Sequence, residues 1–553
     1  MPSNKNININ YTSREFDSIK EDLINYAKKY YPNKFKDFNE GSFGSLITDM
    51  VAYVGDSLSF LLDYSVNESF LQNSNEIGNV LRHARALGYK HKPLANSFGT
   101  VEVRVLIPSQ ETEDTPNTDY LPMIKRGSTF TTGDGNVFTL SKDIDFTDSN
   151  TTYITGELNA NGNVNYFIAK NTGTVISGEI VEELHELGEF SRFQKVFLND
   201  ENATEIVSVV DSAGNSYYQV EYLSQDVIYK IIANNDPSSN TLVPSILKPM
   251  AVPRRFTLER DDFNQPYLQF GSVSNKEILN EKFIDPNEVV AELHARDYYT
   301  DKHYDPSNFF INDKFGIAPS NTALLVRYRK TNSGNVNVAA NSLTAVNEAD
   351  ISFKNEITIP SSVSTLIRES LSVNNPSPIL GDTDPISIDE AKILAFDSYA
   401  TQNRAVTKND YISLTYRMPS ELGSVKRTNV FQDNDSFKRN LNMFVLSEDS
   451  NGNLITTPAV IKNNLKTWLN QYKMINDTVD IMDAHVVNIA IDFVMIPQPG
   501  VNKYDALTAA LEKLQEEMLS PKYNIGEPFY VTDVYQHLKE VPEVLDVFDV
   551  IIT

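Results

Sequence analysis

The side chains best suited to chemistry do not gather into a recognisable set. Histidines stand at His83, His91, His185, His294, His303, His485 and His537, none in an H-E-x-x-H or H-x-E pattern, and the chain has no cysteine. A zinc site needs three or four nitrogen or sulfur ligands at characteristic spacing, so no metal set and no cofactor are expected. The lack of cysteine also removes disulfides, iron–sulfur clusters and thiol nucleophiles, and fits a reducing compartment. Gly41-Ser42-Phe43-Gly44-Ser45 has the composition of a nucleophile elbow with its residues in the wrong places, at the start of a helical pattern. Gly133-Asp134-Gly135 leads into a strand pattern, so it reads as a turn and not a phosphate loop. Asp261-Asp262 and Asp433 with Asp435 could attract a cation, but they read as exposed acidic loops, and no D-x-[DN]-x-[DN]-G calcium loop occurs. With 74 acidic side chains some carboxylate pair is always at hand, so a glycosidase-like pair carries no information. No catalytic residue is assigned, and the chain is read as non-enzymatic.

The excess of 74 acidic over 48 basic residues gives a net charge of −26. Nucleic-acid binding rests on a basic surface, so no nucleic-acid partner is expected. The polar start, MPSNKNININ, lacks the apolar core of a secretory signal, and no uninterrupted run of 18 apolar residues suggests a membrane span. At 553 residues, with 41% hydrophobic and 22% charged, three or four packed domains are expected.

The elements that would position any site fall into three regions. Residues 1–95 read as helical. Thr12 and Glu15 have capping-box spacing ahead of Phe16, Ile19 and Leu23. A longer stripe carries Phe43, Leu46, Ile47, Met50, Val54, Leu58, Leu61 and Leu62; a third helix runs from Ile77 to Leu87, with Gly88 as its terminator and Pro93 beyond. Such stripes fill a small bundle or lie against a partner. Residues 96–370 turn to period two: Val101, Val103, Val105 and Ile107 alternate, and a hairpin follows through Gly133-Asp134-Gly135. Short β-rich runs follow at Val164 to Ala169, Thr174 to Ile180, Ile206 to Val210, Tyr217 to Tyr222, Val227 to Ile232 and Leu324 to Tyr328. Ser372 to Pro385 has the composition of a linker or an ordered loop. Residues 386–553 mix helices and strands. Thr407 and Asp410 have capping-box spacing, Thr457-Pro458 looks like a cap with a proline at the first helical position, and Val487 to Met495 alternates. The expected fold class is α+β and multidomain: an N-terminal helical region, a central β-rich region and C-terminal α+β modules.

Several segments, in order, resemble the baseplate J-like family, which includes the large baseplate wedge subunit of T-even-type contractile-tailed phages. They are Phe38-Asn39-Glu40-Gly41-Ser42; Asn67-Glu68-Ser69-Phe70-Leu71; Leu81 to Gly88; Ile124 to Phe130 with Gly135 and Phe138; Leu268-Gln269-Phe270-Gly271; Val326-Arg327-Tyr328 with Ser333-Gly334-Asn335-Val336; and Arg404-Ala405-Val406-Thr407 with Asp410-Tyr411, followed by Gly423-Ser424-Val425. The sequence departs from the family pattern after Gly271, where Ser272-Val273-Ser274 stand, and residues 145–260 match nothing in it, as an insertion would. The resemblance implies a structural protein of a virion tail baseplate, assembled in the host cytoplasm. Two copies would join one partner subunit in each wedge, and neighbouring wedges would close a ring around the tail hub, beside other wedge subunits and a sheath-initiating or hub-proximal protein. The partner-facing stripe is then placed on Phe16, Ile19, Leu23, Phe43, Leu46, Ile47, Met50, Val54 and Leu58. Arg404, Thr407, Asp410 and Tyr411 are expected to fix the fold at their corner, where Arg404 has two readings, a pair with a carboxylate or a place in an interface. The competing reading is a tail-associated cell-wall hydrolase or glycan-binding protein. A DNA-contacting, portal-like component fits the acidic balance poorly.

Overall fold

The computed structural model describes residues 15–31, 39, 41–91, 95–110, 115–156, 164–233, 245–261, 265–274, 315–331, 336–354, 359–383, 386–433, 440–519 and 523–553. Its helices are α1 (Phe16–Tyr30), α2 (Phe43–Glu68), α3 (Ile77–Ala86), α4 (Ser361–Glu369), α5 (Ile388–Thr401), α6 (Lys408–Tyr416), α7 (Ala459–Leu469), α8 (Lys503–Leu519) and α9 (Val531–Lys539). The chain is α+β, with helices first, a β-rich centre and mixed modules after it. Contacts divide it into two units, Met1–His91 with Ile386–Asn403, and Lys92–Pro385 with Arg404–Thr553.

In the first unit α1 packs along α2. Gly55 permits the approach, since a Cβ there would lie 3.3 Å from Ile19 Cδ1, and Lys20 pairs with Asp49 at 2.8 Å. The expected cap at Thr12 lies outside the described residues; Glu15 takes the N-cap position without a side-chain bond. Ser42 caps α2 by accepting from the Ser45 N–H at 3.1 Å. As the glycine pattern suggests, α3 stops at Leu87 and Gly88 adopts φ +92°, which lets the Tyr89 N–H reach the Ala84 carbonyl. α3 and α5 meet through Ala84 and Ala395, flanked by Leu71, Leu87 and Leu394.

In the second unit the alternating run Phe98–Pro108 pairs antiparallel with Tyr166–Ser177, from Phe98 opposite Ile176 to Pro108 opposite Tyr166. Its inward residues Val101, Val103, Val105 and Ile107 join Phe130 and Phe138 of the predicted hairpin in one core. The two β runs expected at Val164 to Ala169 and Thr174 to Ile180 are one strand and the start of the next. They divide at Gly178, whose φ is +91° and whose added Cβ would sit 2.4 Å from the Lys330 carbonyl oxygen. A second seven-stranded sheet runs Glu179–Leu187, Thr322–Lys330, Ala203–Asp211, Ser216–Gln219, Arg255–Arg260, Pro266–Phe270, Lys195–Phe197, so residues 145–260 supply most of its strands. Gly271 ends one of them where an added Cβ would meet the Gly316 carbonyl oxygen at 1.9 Å, so no side chain fits there.

Two expectations are corrected and one open choice is decided. The stretch from Ser372, read as a linker or an ordered loop, is an ordered loop: Ser372–Asn374 pairs with Phe98–Pro108, and Phe98 and Leu380 exchange backbone bonds of 2.7 and 3.2 Å. Its Ser, Asn and Pro content describes the side chains, whereas its place is fixed by backbone pairing and by buried Ile379 and Leu380. At α7 the N-cap is Pro458, not Thr457; the Thr457 hydroxyl instead accepts from Ser447 at 3.1 Å. The alternating run from Val487 becomes strand only at Ile491–Pro497, where a partner, Val544–Ile552, lies alongside.

Candidate interaction surfaces

α2 is built inside out. The residues it buries are Ser45, Ala52, Ser59 and Glu68, three of them small, while Phe43 is 75% exposed and Met50 63%. Leu46, Ile47, Val54 and Leu58 of the predicted stripe are likewise exposed, and so are Val51, Tyr53, Phe60, Leu61, Leu62, Tyr64 and Val66 beyond it. At about 100° per residue these side chains cover roughly 240° of the helix's circumference. The rest is the narrow seam against α1 and a row of aspartates, Asp49, Asp56 and Asp63, at heptad spacing. Phe16, Ile19 and Leu23 are half-buried, with Ile19 in the α1–α2 seam, so the predicted stripe divides between an internal contact and an open face. α5 repeats the inversion, burying Ala391, Ala395, Ser398 and Thr401 and exposing Ile393, Phe396 and Tyr399.

By length and composition α2 also passes the test for a membrane-crossing helix, with a mean hydropathy of 1.3 over 18 residues. No uninterrupted apolar run marks this helix, because Asp49, Asp56 and Asp63 break the run while the leucine, isoleucine, valine, methionine and phenylalanine side chains around them keep the average high.

The end of α2 is fixed by a buried carboxylate. Glu68 accepts from the Asn75 N–H and from Asn79 Nδ2, both at 2.8 Å. These bonds, the Asn75 backbone one first, hold its pKa below the ordinary carboxylate range. His83 Nε2 lies 2.9 Å from the Glu68 carbonyl oxygen and ties α3 to the same corner.

The corner around Thr407 is a reciprocal capping box. Thr407 Oγ1 accepts from the Asp410 N–H at 3.3 Å, and Asp410 Oδ2 accepts from the Thr407 N–H at 2.8 Å and the Val406 N–H at 3.1 Å. The buried Tyr411 donates to Asp477 Oδ2 at 2.9 Å; desolvation, then that carboxylate, push its hydroxyl pKa up. Arg404 is exposed and makes no ion pair with any carboxylate among the described residues, so of its two readings the carboxylate pair is not formed there. Local spacing revealed the box, whereas nothing in the spacing told which of its two readings Arg404 would follow.

In the second sheet, Tyr328 Oη lies 2.6 Å from both Glu183 Oε1 and Asp200 Oδ2. Burial raises its pKa, and the two carboxylates add to the rise. Asp261, half of a suspected cation pair, accepts the Gln265 N–H at 2.8 Å in a tight turn; Asp262, Asp435, His294 and His303 lie outside the described residues. Among the described residues no group of three or more His, Asp or Glu side chains is placed to hold a metal ion.

At the C-terminal end, Ile491–Pro497 and Val544–Ile552 form a two-stranded ribbon. One face packs on α8 and α9 through Phe493, Met495, Val547 and Val550. The other is open. The ribbon has two bulges, and the residues they add are Leu545 and Phe548, 54% and 79% exposed. Nothing in the sequence marks these bulges, because they exist only in the register between two distant strands.

No family model matches the chain, and no curated protein matches it. Among solved structures, a chain of the anti-feeding prophage (AFP) baseplate, determined by cryo-electron microscopy with six-fold symmetry, is 11% identical; the alignment covers 98% of this chain and 94% of that one at a TM-score of 0.27. A chain of the type VI secretion system TssK-TssF-TssG baseplate subcomplex is 9% identical over 78% of this chain and 95% of that one, also at 0.27. Both are parts of contractile-injection baseplates, and at this TM-score neither carries an argument about this chain.

Proposed function

We propose that the chain is a structural, non-enzymatic wedge subunit of a contractile-tail baseplate, whose N-terminal helices bundle with a second copy and a partner subunit. The observation that carries this is the open face of α2. An apolar stripe facing one neighbour spans on the order of 100°. An arc of roughly 240° therefore calls for at least two helices beyond α1, which two copies and one partner would supply. The ordered motifs from Phe38 to Val425 support the family side of the reading. The C-terminal α+β region then makes the contacts that link wedges into a ring, and contraction switches those interfaces between two geometries.

The membrane-crossing character of α2 favours one other reading, insertion into a bilayer. Its aspartates weigh against this, since an acidic residue near the bilayer centre costs about 3 kcal/mol on insertion scales. Native mass spectrometry of the full chain tests the proposal: a dimer, or a two-to-one complex with a wedge partner, is expected. Met50→Gln with Leu58→Gln should break that association and change the unfolding free energy of the separated chain by no more than about 0.5 kcal/mol, because both side chains are exposed in the lone chain. A stable lone monomer, or flotation of the wild type with lipid vesicles, would overturn it, as would lysis of peptidoglycan by the pure protein.

A further inference from the structure

The open face of the C-terminal ribbon has a composition that selects its occupant. Asp492 lies opposite Ile551, Val494 opposite Asp549, and Ile496 opposite Asp546, so each cross-strand pair joins one aliphatic side chain to one carboxylate. Asp546 is already paired with Lys539 at 2.9 Å; Asp492 and Asp549 have no ion pair among the described residues. The two bulges add Leu545 and Phe548 to the same side. A bulge re-aims a side chain and is retained as a feature of a strand, not a defect. Here both bulged residues are large and apolar where solvent-facing positions ordinarily hold polar ones. A ribbon of only two strands, with one face on helices, also leaves strand edges available.

We propose that this face docks a segment of another protein that presents aliphatic and basic side chains together on one of its faces. Aliphatic groups would cover Phe548, Leu545 and Ile551, while lysine or arginine would meet Asp492 and Asp549. A second copy of this chain would bring its own Asp492, Asp546 and Asp549 to the contact, and gathering like charges in one interface opposes association. The proposal deepens the reading of the C-terminal region as a ring contact, and rests on that reading only for the claim that the partner is another baseplate subunit.

The test uses the full chain and two synthetic peptides, a lysine peptide repeating Lys-Lys-Val-Val and a glutamate peptide repeating Glu-Glu-Val-Val, so that each face of the extended peptide carries both kinds of side chain. Hydrogen exchange locates any binding. The lysine peptide should protect residues 491–497 and 544–552 and bind roughly tenfold more tightly than the glutamate peptide, as two exposed ion pairs allow. Phe548→Ala with Leu545→Ala should abolish the protection. Asp492→Lys with Asp549→Lys should reverse the preference, a result that loss of folding cannot mimic. Equal binding of both peptides, protection elsewhere on the acidic surface, or no binding overturns the proposal. So does protection of the ribbon that rises with protein concentration alone, which would show a second copy on this face. Running the same peptides on the Met50→Gln, Leu58→Gln chain separates this result from the fate of the helix-bundle reading.

Discussion

Glu68 shows how one carboxylate can hold a corner. It is buried at the end of α2, and its bonds to Asn75, Asn79 and the Glu76 N–H bind the turn into α3. Those bonds favour the charged form, so its native pKa lies below the unfolded one. The stability it contributes is therefore full above the unfolded value and is lost as pH falls through the lowered native value. Glu68→Gln should be less stable than wild type at neutral pH, and the gap should close in acid, where the wild type is protonated too. Urea unfolding across pH, followed by hydrogen exchange in α3, would show it; a gap that does not change with pH would mean the charge is irrelevant. Glu68 belongs to a segment singled out by its resemblance to the family, yet its bonding was not readable there. Gly271 is similar: its place in an FG pair was visible, but the reason, a carbonyl oxygen 1.9 Å from where a Cβ would stand, needs the fold.

At the scale of elements, α6 is the case where local signals sufficed. Its box is made of two residues three apart, so spacing alone carries it, and both bonds form. Thr407→Ala should cost about 1 kcal/mol of stability. Pairing it with Asp410→Ala should cost less than the sum, because each change already removes part of one reciprocal arrangement. Additive losses in a denaturation cycle would show that the two bonds act separately. The alternating valines at the centre of Phe98–Pro108 were equally readable. The loop from Ser372 and the start of the Val487 run were not, because a strand exists only where a distant partner supplies hydrogen bonds. α2 shows the other limit. Periodicity finds an apolar stripe but is blind to whether the chain itself or another molecule covers it. The informative pattern was the small one, Ser45, Ala52 and Ser59 at intervals of seven, which marks where α2 is approached within its own chain.

For the whole molecule, net charge and open apolar surface pull in opposite directions. Two copies, each carrying −26, repel one another, while the proposed burial of the exposed α2 faces would draw copies together by excluding water. The repulsion reaches about 30 Å at 0.01 M salt and about 8 Å at 0.15 M, whereas the apolar attraction is short-ranged and depends little on salt. Self-association through the helices should therefore strengthen when salt is raised from low to physiological concentration. Docking of a basic segment on the C-terminal ribbon should weaken over the same range, because there the charges attract. Sedimentation of the chain alone and with the lysine peptide, across that salt series, measures both slopes. If self-association weakened with salt, charge pairing and not the apolar face of α2 would be holding the copies together. The two surfaces thus carry opposite salt signatures, and one titration can tell which of them an observed contact uses.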